Sequence, residues 1–194
     1  MGLKNLKGTE TEKNLMKAFS GESQARNRYT FFASVARREG YEQIAQIFEE
    51  TAANEKKHAE VFFKFLDGGM LEFTGTYPAG VISGTLDNLA AAAQGEYDEW
   101  EELYPEYARV AEAEGFRDVA RAFRMIASVE QMHEKRYREF YDKVASGTVF
   151  RSDEPQEWIC RKCGYRVKGR QAPEKCPVCG HPQAFFEIAQ ETAY

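Results

Sequence analysis

Two Glu-x-x-His pairs, Glu55 with His58 and Glu130 with His133, hold corresponding places in what reads as two copies of one helical unit. A further glutamate precedes each pair at almost the same interval: Glu22 stands 33 residues before Glu55, and Glu96 stands 34 before Glu130. Residues three apart share a helix face, so each pair can present a carboxylate and an imidazole in one direction. One Glu from each of two helices and Glu-x-x-His from each of two others is a donor set that holds two metal ions inside a four-helix bundle.

Apolar periodicity supplies the four helices. The first is expected from about Glu12 to Arg38, with Leu15, Phe19, Glu22, Arg26, Tyr29, Phe32 and Ala36 along its seam. The second, from about Tyr41 to Leu66, aligns Ile44, Phe48, Thr51, Glu55, His58, Phe62 and Phe65. The third, from about Gly84 to Ala113, aligns Leu86, Leu89, Ala93, Glu96, Trp100, Leu103, Tyr107 and Val110. The fourth, from about Phe116 to Ala145, aligns Val119, Phe123, Ile126, Glu130, His133, Tyr137, Phe140 and Val144. Steps of three and four alternate throughout, which is the spacing of a bundle seam.

Gly40 and Gly115 mark tight turns and predict two antiparallel hairpins. Between the hairpins lies Asp67 to Ser83, with Gly68, Gly69, Gly75, Pro78 and Gly80. Seventeen extended residues reach about 55 Å, whereas a 25-residue helix is about 38 Å long. The segment can therefore cross the whole bundle and set the second and third helices parallel, which is the ferritin-like all-α topology.

The seams also carry the charge argument. An unpaired carboxylate on a core-facing stripe is costly to desolvate. Arg26 shares the first seam, but one guanidinium cannot neutralise four glutamates. Two multivalent metal ions can. The ordinary alternative is that a glutamate on a helix is solvated surface and a helical histidine is a satisfied core residue. Three coincidences oppose it: both pairs lie on apolar seams, both have a partner glutamate, and the partner intervals agree. Oxygen donors with some nitrogen suit iron or manganese. Glu99, one turn beyond Glu96, is a seventh candidate; spacing alone leaves it open between ligand and surface residue, since Asp98, Glu101 and Glu102 surround it.

All four cysteines fall between Cys160 and Cys179. They form Cys160-Arg-Lys-Cys163-Gly and Cys176-Pro-Val-Cys179-Gly, a pair of Cys-x-x-Cys motifs that fits a tetrahedral four-thiolate site. The glycine after each pair suits a turn that brings backbone N–H groups towards sulfur. Trp158, Tyr165, Phe185 and Phe186 could supply a small aromatic core. A structural zinc ribbon would use the same ligands; fusion to a di-metal bundle favours iron, which can shuttle one electron.

The chain divides accordingly into 1–146 as bundle, 147–154 as linker and 155–194 as cysteine module. The net charge of −5 comes without a basic stretch, so nucleic acid is not an expected partner. No apolar run approaches the roughly 18 residues of a membrane span. The first residues lack the apolar core of a signal peptide, and the expected location is cytoplasmic.

With both donor sets in view, the sequence resembles the rubrerythrin family over essentially its full length. GESQARNRYTFFA, IFEETAANEKKHA, AAAQGEYDEW and SVEQMHEKRY resemble that family's di-iron motifs, and CRKCGY and CPVCG its rubredoxin-type knuckles. The resemblance implies two irons bridged by Glu55 and Glu130, with Glu22 on one and Glu96 and His133 on the other. It implies that His58 and Glu99 compete for the first iron, which in this family moves between them with oxidation state. It implies one further iron held by Cys160, Cys163, Cys176 and Cys179. Tyr29 and Tyr104 match tyrosines near the family's di-iron pocket. His181 lies outside both sites and reads as surface.

The implied activity is reduction of hydrogen peroxide to water, in protection against oxidative stress. Electrons would come through the four-cysteine iron from rubredoxin or an NAD(P)H-dependent reductase, since the chain has no nucleotide-binding fingerprint. The implied assembly is a head-to-tail homodimer. One rival is a ferroxidase that handles iron; another is an electron carrier or zinc-stabilised scaffold, which predicts a colourless protein where ferric four-thiolate iron is red.

Overall fold

The structure is a computed structural model and describes residues 5–189. Helix α1 runs Glu10–Arg38 and α2 runs Glu42–Lys64. Helix α3 (Thr85–Tyr97) passes through a π-helical segment, Asp98–Leu103, into α4 (Tyr104–Ala113), and α5 covers Arg117–Ala145. At the α1–α2 and α4–α5 turns Gly40 and Gly115 adopt φ of 85° and 84°, a left-handed conformation that a Cβ disfavours.

The two hairpins cap each other. The Glu39 carboxylate, at the end of α1, accepts from the Thr85 N–H at the start of α3 (3.0 Å). Reciprocally, Glu114 beyond α4 accepts from the Thr11 N–H of α1 (2.8 Å). Carboxylates at helix N-termini satisfy orphan donors and favour the dipole. Because α3 starts beside the α1–α2 turn, α2 and α3 begin at one end of the bundle and run parallel. Residues 67–84 form the crossover without helix or strand, and the Tyr77 hydroxyl ties it to α1 by donating to the Lys17 carbonyl (3.0 Å).

The third helix departs from the expected continuous seam. A π-turn takes up one more residue than an α-turn, so the inward positions beyond it slip by one. Tyr104, Ala108 and Ala111 are buried there, while Leu103 is 41% exposed and Trp100, Tyr107 and Val110 are partly covered. The first seam needs a similar correction. Ala25, not Arg26, follows Glu22 on the buried face, and Arg26 points to solvent. Among the described residues no arginine pairs with the four core carboxylates.

Two apolar clusters fill the bundle. One gathers Tyr29, Phe32, Ile44, Phe48, Leu89 and Tyr137; the other gathers Leu15, Phe62, Tyr104, Val119, Phe123 and Ile126. Along α1, α2 and α5 the chain leaves one cluster, passes its Glu or Glu-x-x-His, and enters the other. The acidic residues thus sit in a layer between two apolar plugs that keep water away.

After α5, strand pairing begins at Arg151, inside the stretch 147–154 expected to be linker. Strand β1 (Arg151–Cys160) lies between β2 (Arg166–Gln171) and β3 (Phe186–Ile188), all antiparallel, with a register shift between Arg151 and Gln156. Trp158 and Phe186 are fully buried at its centre, and the Trp158 indole donates to the Gly169 carbonyl (2.9 Å). Phe150 stacks on Tyr41 with ring centroids 6.0 Å apart, docking this module at the α1–α2 turn. No helix among the described residues is long and apolar enough to cross a membrane.

Candidate metal centre

The four core glutamates and two histidines converge into two overlapping groups. Glu22, Glu55, His58 and Glu130 form one; Glu55, Glu96, Glu130 and His133 form the other, with donor atoms within 4.8 Å of one another in each. Glu55 and Glu130 belong to both, and their atoms show how. Glu130 places Oε1 2.8 Å from His58 Nδ1 and Oε2 2.7 Å from His133 Nδ1. Glu55 does the reverse, with Oε2 and Oε1 each 3.3 Å from those nitrogens. Glu22 stands on the His58 side, and Glu96 on the His133 side.

These contacts are too many and too poorly aligned to be hydrogen bonds alone. Both oxygens of Glu130, Glu22 Oε2, Glu55 Oε1, Glu96 Oε2 and His133 Nδ1 are buried with no hydrogen-bond partner. Orphaned buried oxygens are costly. These atoms all belong to the two groups, so the donor set fits two cations with two carboxylates shared between them.

The outer oxygens are satisfied: Tyr29 donates to Glu96 Oε1 and Tyr104 to Glu22 Oε1. Electrostatics agree with this reading. Burial, then the neighbouring carboxylates, push Glu22 and Glu96 well above the usual carboxylate range. Burial lowers the affinity of His58 and His133 for a proton, but the surrounding carboxylates more than reverse it. Without metal, protons must stand in for part of the missing positive charge.

Glu99 sits in the π segment and joins neither group of four. Its carboxyl nevertheless turns inward, with Oε1 3.7 Å from where a Cβ on Gly21 would stand. Burial, then Glu22, Glu96, Glu130 and Glu55, push it well up. A cavity of about 360 Å³ reaches Glu99 and Tyr104, with Gly21 and Tyr77 among its walls. A second cavity, about 260 Å³, lies under Tyr41 and Phe150, away from any donor cluster.

The four cysteine sulfurs also lie within 4.8 Å of one another. Cys160 and Cys179 are 3.7 Å apart and Cys163 and Cys176 3.6 Å. A metal–sulfur bond of about 2.3 Å in a tetrahedron implies sulfur separations of about 3.8 Å, so the cage fits a single ion. Each knuckle closes with a turn, Gly164 N–H to the Cys160 carbonyl and Gly180 N–H to the Cys176 carbonyl. Backbone N–H groups of Tyr165 approach Cys163, and those of Cys179 and Val178 approach Cys176. His181, expected at the surface, is half-buried and packs edge-on against Phe185 at 4.8 Å.

Sequence reasoning missed two neighbours of the centre. The Asn54 amide contacts His133 Nε2 at 3.2 Å. The Trp100 indole donates to Glu134 (2.6 Å), a buried carboxylate also paired with Arg138. Asn54 and Glu134 stand one position beside a stripe rather than on it, so the seam pattern did not flag them; Trp100 lay on the expected third seam, but its bond to Glu134 did not follow from that. The π segment did leave a signal: its extra residue is the difference between the intervals of 33 and 34.

A four-helix bundle with two carboxylates common to both donor groups, two Glu-x-x-His motifs and an appended four-thiolate knuckle defines a ferritin-like di-iron protein with a rubredoxin-like iron site. The rubrerythrin family profile matches residues 13–141, and the profile for the rubrerythrin rubredoxin-like domain matches 158–187. The rubrerythrin of Porphyromonas gingivalis is 57% identical over 184 residues, 95% of this chain and 92% of that one. That of Nitratidesulfovibrio vulgaris is 50% identical over 186 residues, 96% and 97% of the two chains. The fully reduced, all-ferrous structure of nigerythrin superposes with a TM-score of 0.63 at 32% identity, covering 95% of this chain and 91% of that one. The chain belongs to the rubrerythrin family.

Proposed function

We propose that the protein reduces hydrogen peroxide to water at the carboxylate–histidine centre, with electrons delivered through the four-cysteine iron. Glu55 and Glu130 would be shared by two irons, Glu22 would hold the first together with His58 or Glu99, and Glu96 and His133 would hold the second. When bound, two ferrous irons supply the two electrons of H₂O₂ + 2 H⁺ + 2 e⁻ → 2 H₂O, and the thiolate-bound iron returns electrons singly.

The chain's own residues do the rest. The cavity beside Glu99 and Tyr104 admits a molecule of peroxide size and reaches the Glu99 carboxyl and Tyr104, whose hydroxyl bonds Glu22. Tyr104 holds its proton on Glu22, and Tyr29 holds its proton on Glu96, so each half keeps a hydroxyl beside an outer carboxylate oxygen. The two apolar clusters above and below exclude bulk water.

The observation that carries this reading is the four-thiolate cage on the same chain: a ferroxidase draws electrons from its iron substrate and has no use for one. The cysteine module docks on Tyr41 through Phe150, and Glu55 lies 14 residues on from Tyr41, about 21 Å along α2. A head-to-tail homodimer, in which the partner's cage approaches this centre, would shorten that path. The electron donor to the cage is rubredoxin or an NAD(P)H-dependent reductase.

Rapid mixing of fully reduced, iron-loaded protein with peroxide or with oxygen tests the proposal. The expected result is fast peroxide consumption with return of the ferric four-thiolate band, and a much slower response to oxygen. Fast reaction with oxygen alone, with ferric iron accumulating under excess Fe(II), would replace it with the ferroxidase.

A further inference from the structure

The two metal subsites have matching ligands but unequal support. Counting back one residue from each Glu-x-x-His motif gives Asn54 before Glu55 and Val129 before Glu130. Asn54 lies on α2, yet its amide reaches across to the Nε2 of His133 on α5, 3.2 Å away. Nδ1 of His133 faces the carboxylates of Glu55, Glu96 and Glu130. The amide atom nearest Nε2 is Nδ2. An imidazole that gives Nδ1 to a metal carries its proton on Nε2, and a half-turn of the Asn54 amide, whose nitrogen and oxygen differ little in size, brings its carbonyl oxygen there to accept that proton. His58 turns the same atom inward, towards Glu130, Glu55 and Glu22. Among the described residues no hydrogen bond is made at its Nε2. The internal repeat puts Val129 at the position from which an amide would serve it, and valine has neither donor nor acceptor.

We infer that Asn54 is a positioning residue that makes the His133 half the tighter and more fixed of the two subsites, while Val129 leaves the His58 half weaker. The physical basis is that an acceptor on the distal ring nitrogen fixes ring orientation and raises the basicity of the ligating one; loss of such a partner typically costs 10–100-fold in metal affinity. The inference rests on the two-metal reading and is independent of what the centre reacts with.

The test is a titration of the full, metal-free chain with cobalt(II). Cobalt held by four thiolates and cobalt held by carboxylate and imidazole absorb in different parts of the visible spectrum, so the two centres are followed separately. The unsubstituted chain should fill its carboxylate centre in two unequal steps. Asn54→Val should weaken the tighter step by about 10- to 100-fold, leaving the thiolate step unchanged. Asn54→Asp, a stronger acceptor, should tighten it, a gain that a merely space-filling role would not produce. Val129→Asn should tighten the weaker step by about tenfold at least, and it removes no contact to the metal centre, so it tests the idea even where Asn54→Val fails to fold. In the cobalt-loaded protein, one shifted imidazole N–H signal should exchange slowly with solvent, and Asn54→Val should make it exchange fast. Equal loss at both steps in Asn54→Val, or no change from Val129→Asn, overturns the inference. Absence of any carboxylate–imidazole cobalt band in the unsubstituted chain would instead bring down the two-metal reading on which it rests.

Discussion

The first hairpin, α1 with α2, and the second, α3 through α5, are two readings of one design. Leu15 matches Leu89, Ala18 matches Ala92, Gly21 matches Gly95 and Glu22 matches Glu96, all 74 residues apart. From Tyr29 and Tyr104 onwards the offset is 75, through Ala36 and Ala111, Phe48 and Phe123, to Glu55 with Glu130 and His58 with His133. The single added residue falls within the π segment 98–103, which holds Glu99. The equivalent of Glu99 in the first hairpin is Ala25, a buried methyl group. The Ala25/Glu99 difference beside that insertion thus adds a carboxyl to one side of the symmetric donor set, and the Asn54/Val129 difference sets its two imidazoles apart. The lesson is that the repeat builds the cage, and the departures from the repeat set the two metals apart.

The largest break in this comparison should come from a shared ligand. Glu130→Ala removes oxygens that face both histidines, so the carboxylate centre is expected to lose both irons, whereas Glu96→Ala should spare the Glu22 half. Iron per chain, measured after removing loosely bound metal, checks this: the thiolate iron alone should remain in Glu130→Ala.

Metal removal comes next. Ions bound only by the folded chain stabilise it by about 4 kcal/mol at a thousandfold excess over Kd, so the metal-free protein should melt well below the loaded one. Its pH dependence should also reverse. Glu22, Glu96 and Glu99 bind protons more tightly when folded than their ordinary value of 4.5, for burial first and neighbouring carboxylates second. Their stabilising contribution is complete below that value and is lost as pH rises towards their folded values. The metal-free protein is expected to lose stability from about pH 4.5 upward. The loaded protein should lose it on acidification, because protons displace metal from its ligands. Thermal melts of both forms across pH 4–8 separate the two trends.

A smaller effect is expected from the inserted segment. Glu99→Ala leaves six donors, so both irons should still bind, with the ion in the His58 half weakened by about 10- to 100-fold. Competition with a chelator followed by iron counting measures it; equal weakening in both halves would place Glu99 on the midline instead.

The smallest effect sharpens the symmetry itself. Tyr29→Phe and Tyr104→Phe each remove a hydroxyl from a buried carboxylate oxygen, at a cost of about 1–3 kcal/mol. Denaturant unfolding should give two similar values, since the surroundings repeat.

Much of this was legible in the sequence because it depends on local spacing. Glu55/His58 and Glu130/His133 announce themselves by three-residue steps, the cysteines by Cys-x-x-Cys, and the topology by where Gly40, Gly115 and a long glycine-containing crossover fall. What could not be read depends on tertiary geometry. Arg26 and Ala25 both fit a three-or-four spacing from Glu22, and only packing chooses between them. The π segment has no residue preference strong enough to reveal it; its trace is one residue in a 34-residue interval. Asn54 reaches His133 across two helices, 79 residues apart, and no window of sequence contains that contact.

The most direct test of the central claim, that two repeated hairpins enclose one two-iron centre beside a separate thiolate iron, is anomalous scattering from crystals of the iron-loaded protein on either side of the iron absorption edge. The account predicts three iron peaks per chain: two neighbouring ones flanked by Glu55 and Glu130, and one among Cys160, Cys163, Cys176 and Cys179. A single peak in the bundle, or a pair not shared by Glu55 and Glu130, would contradict it.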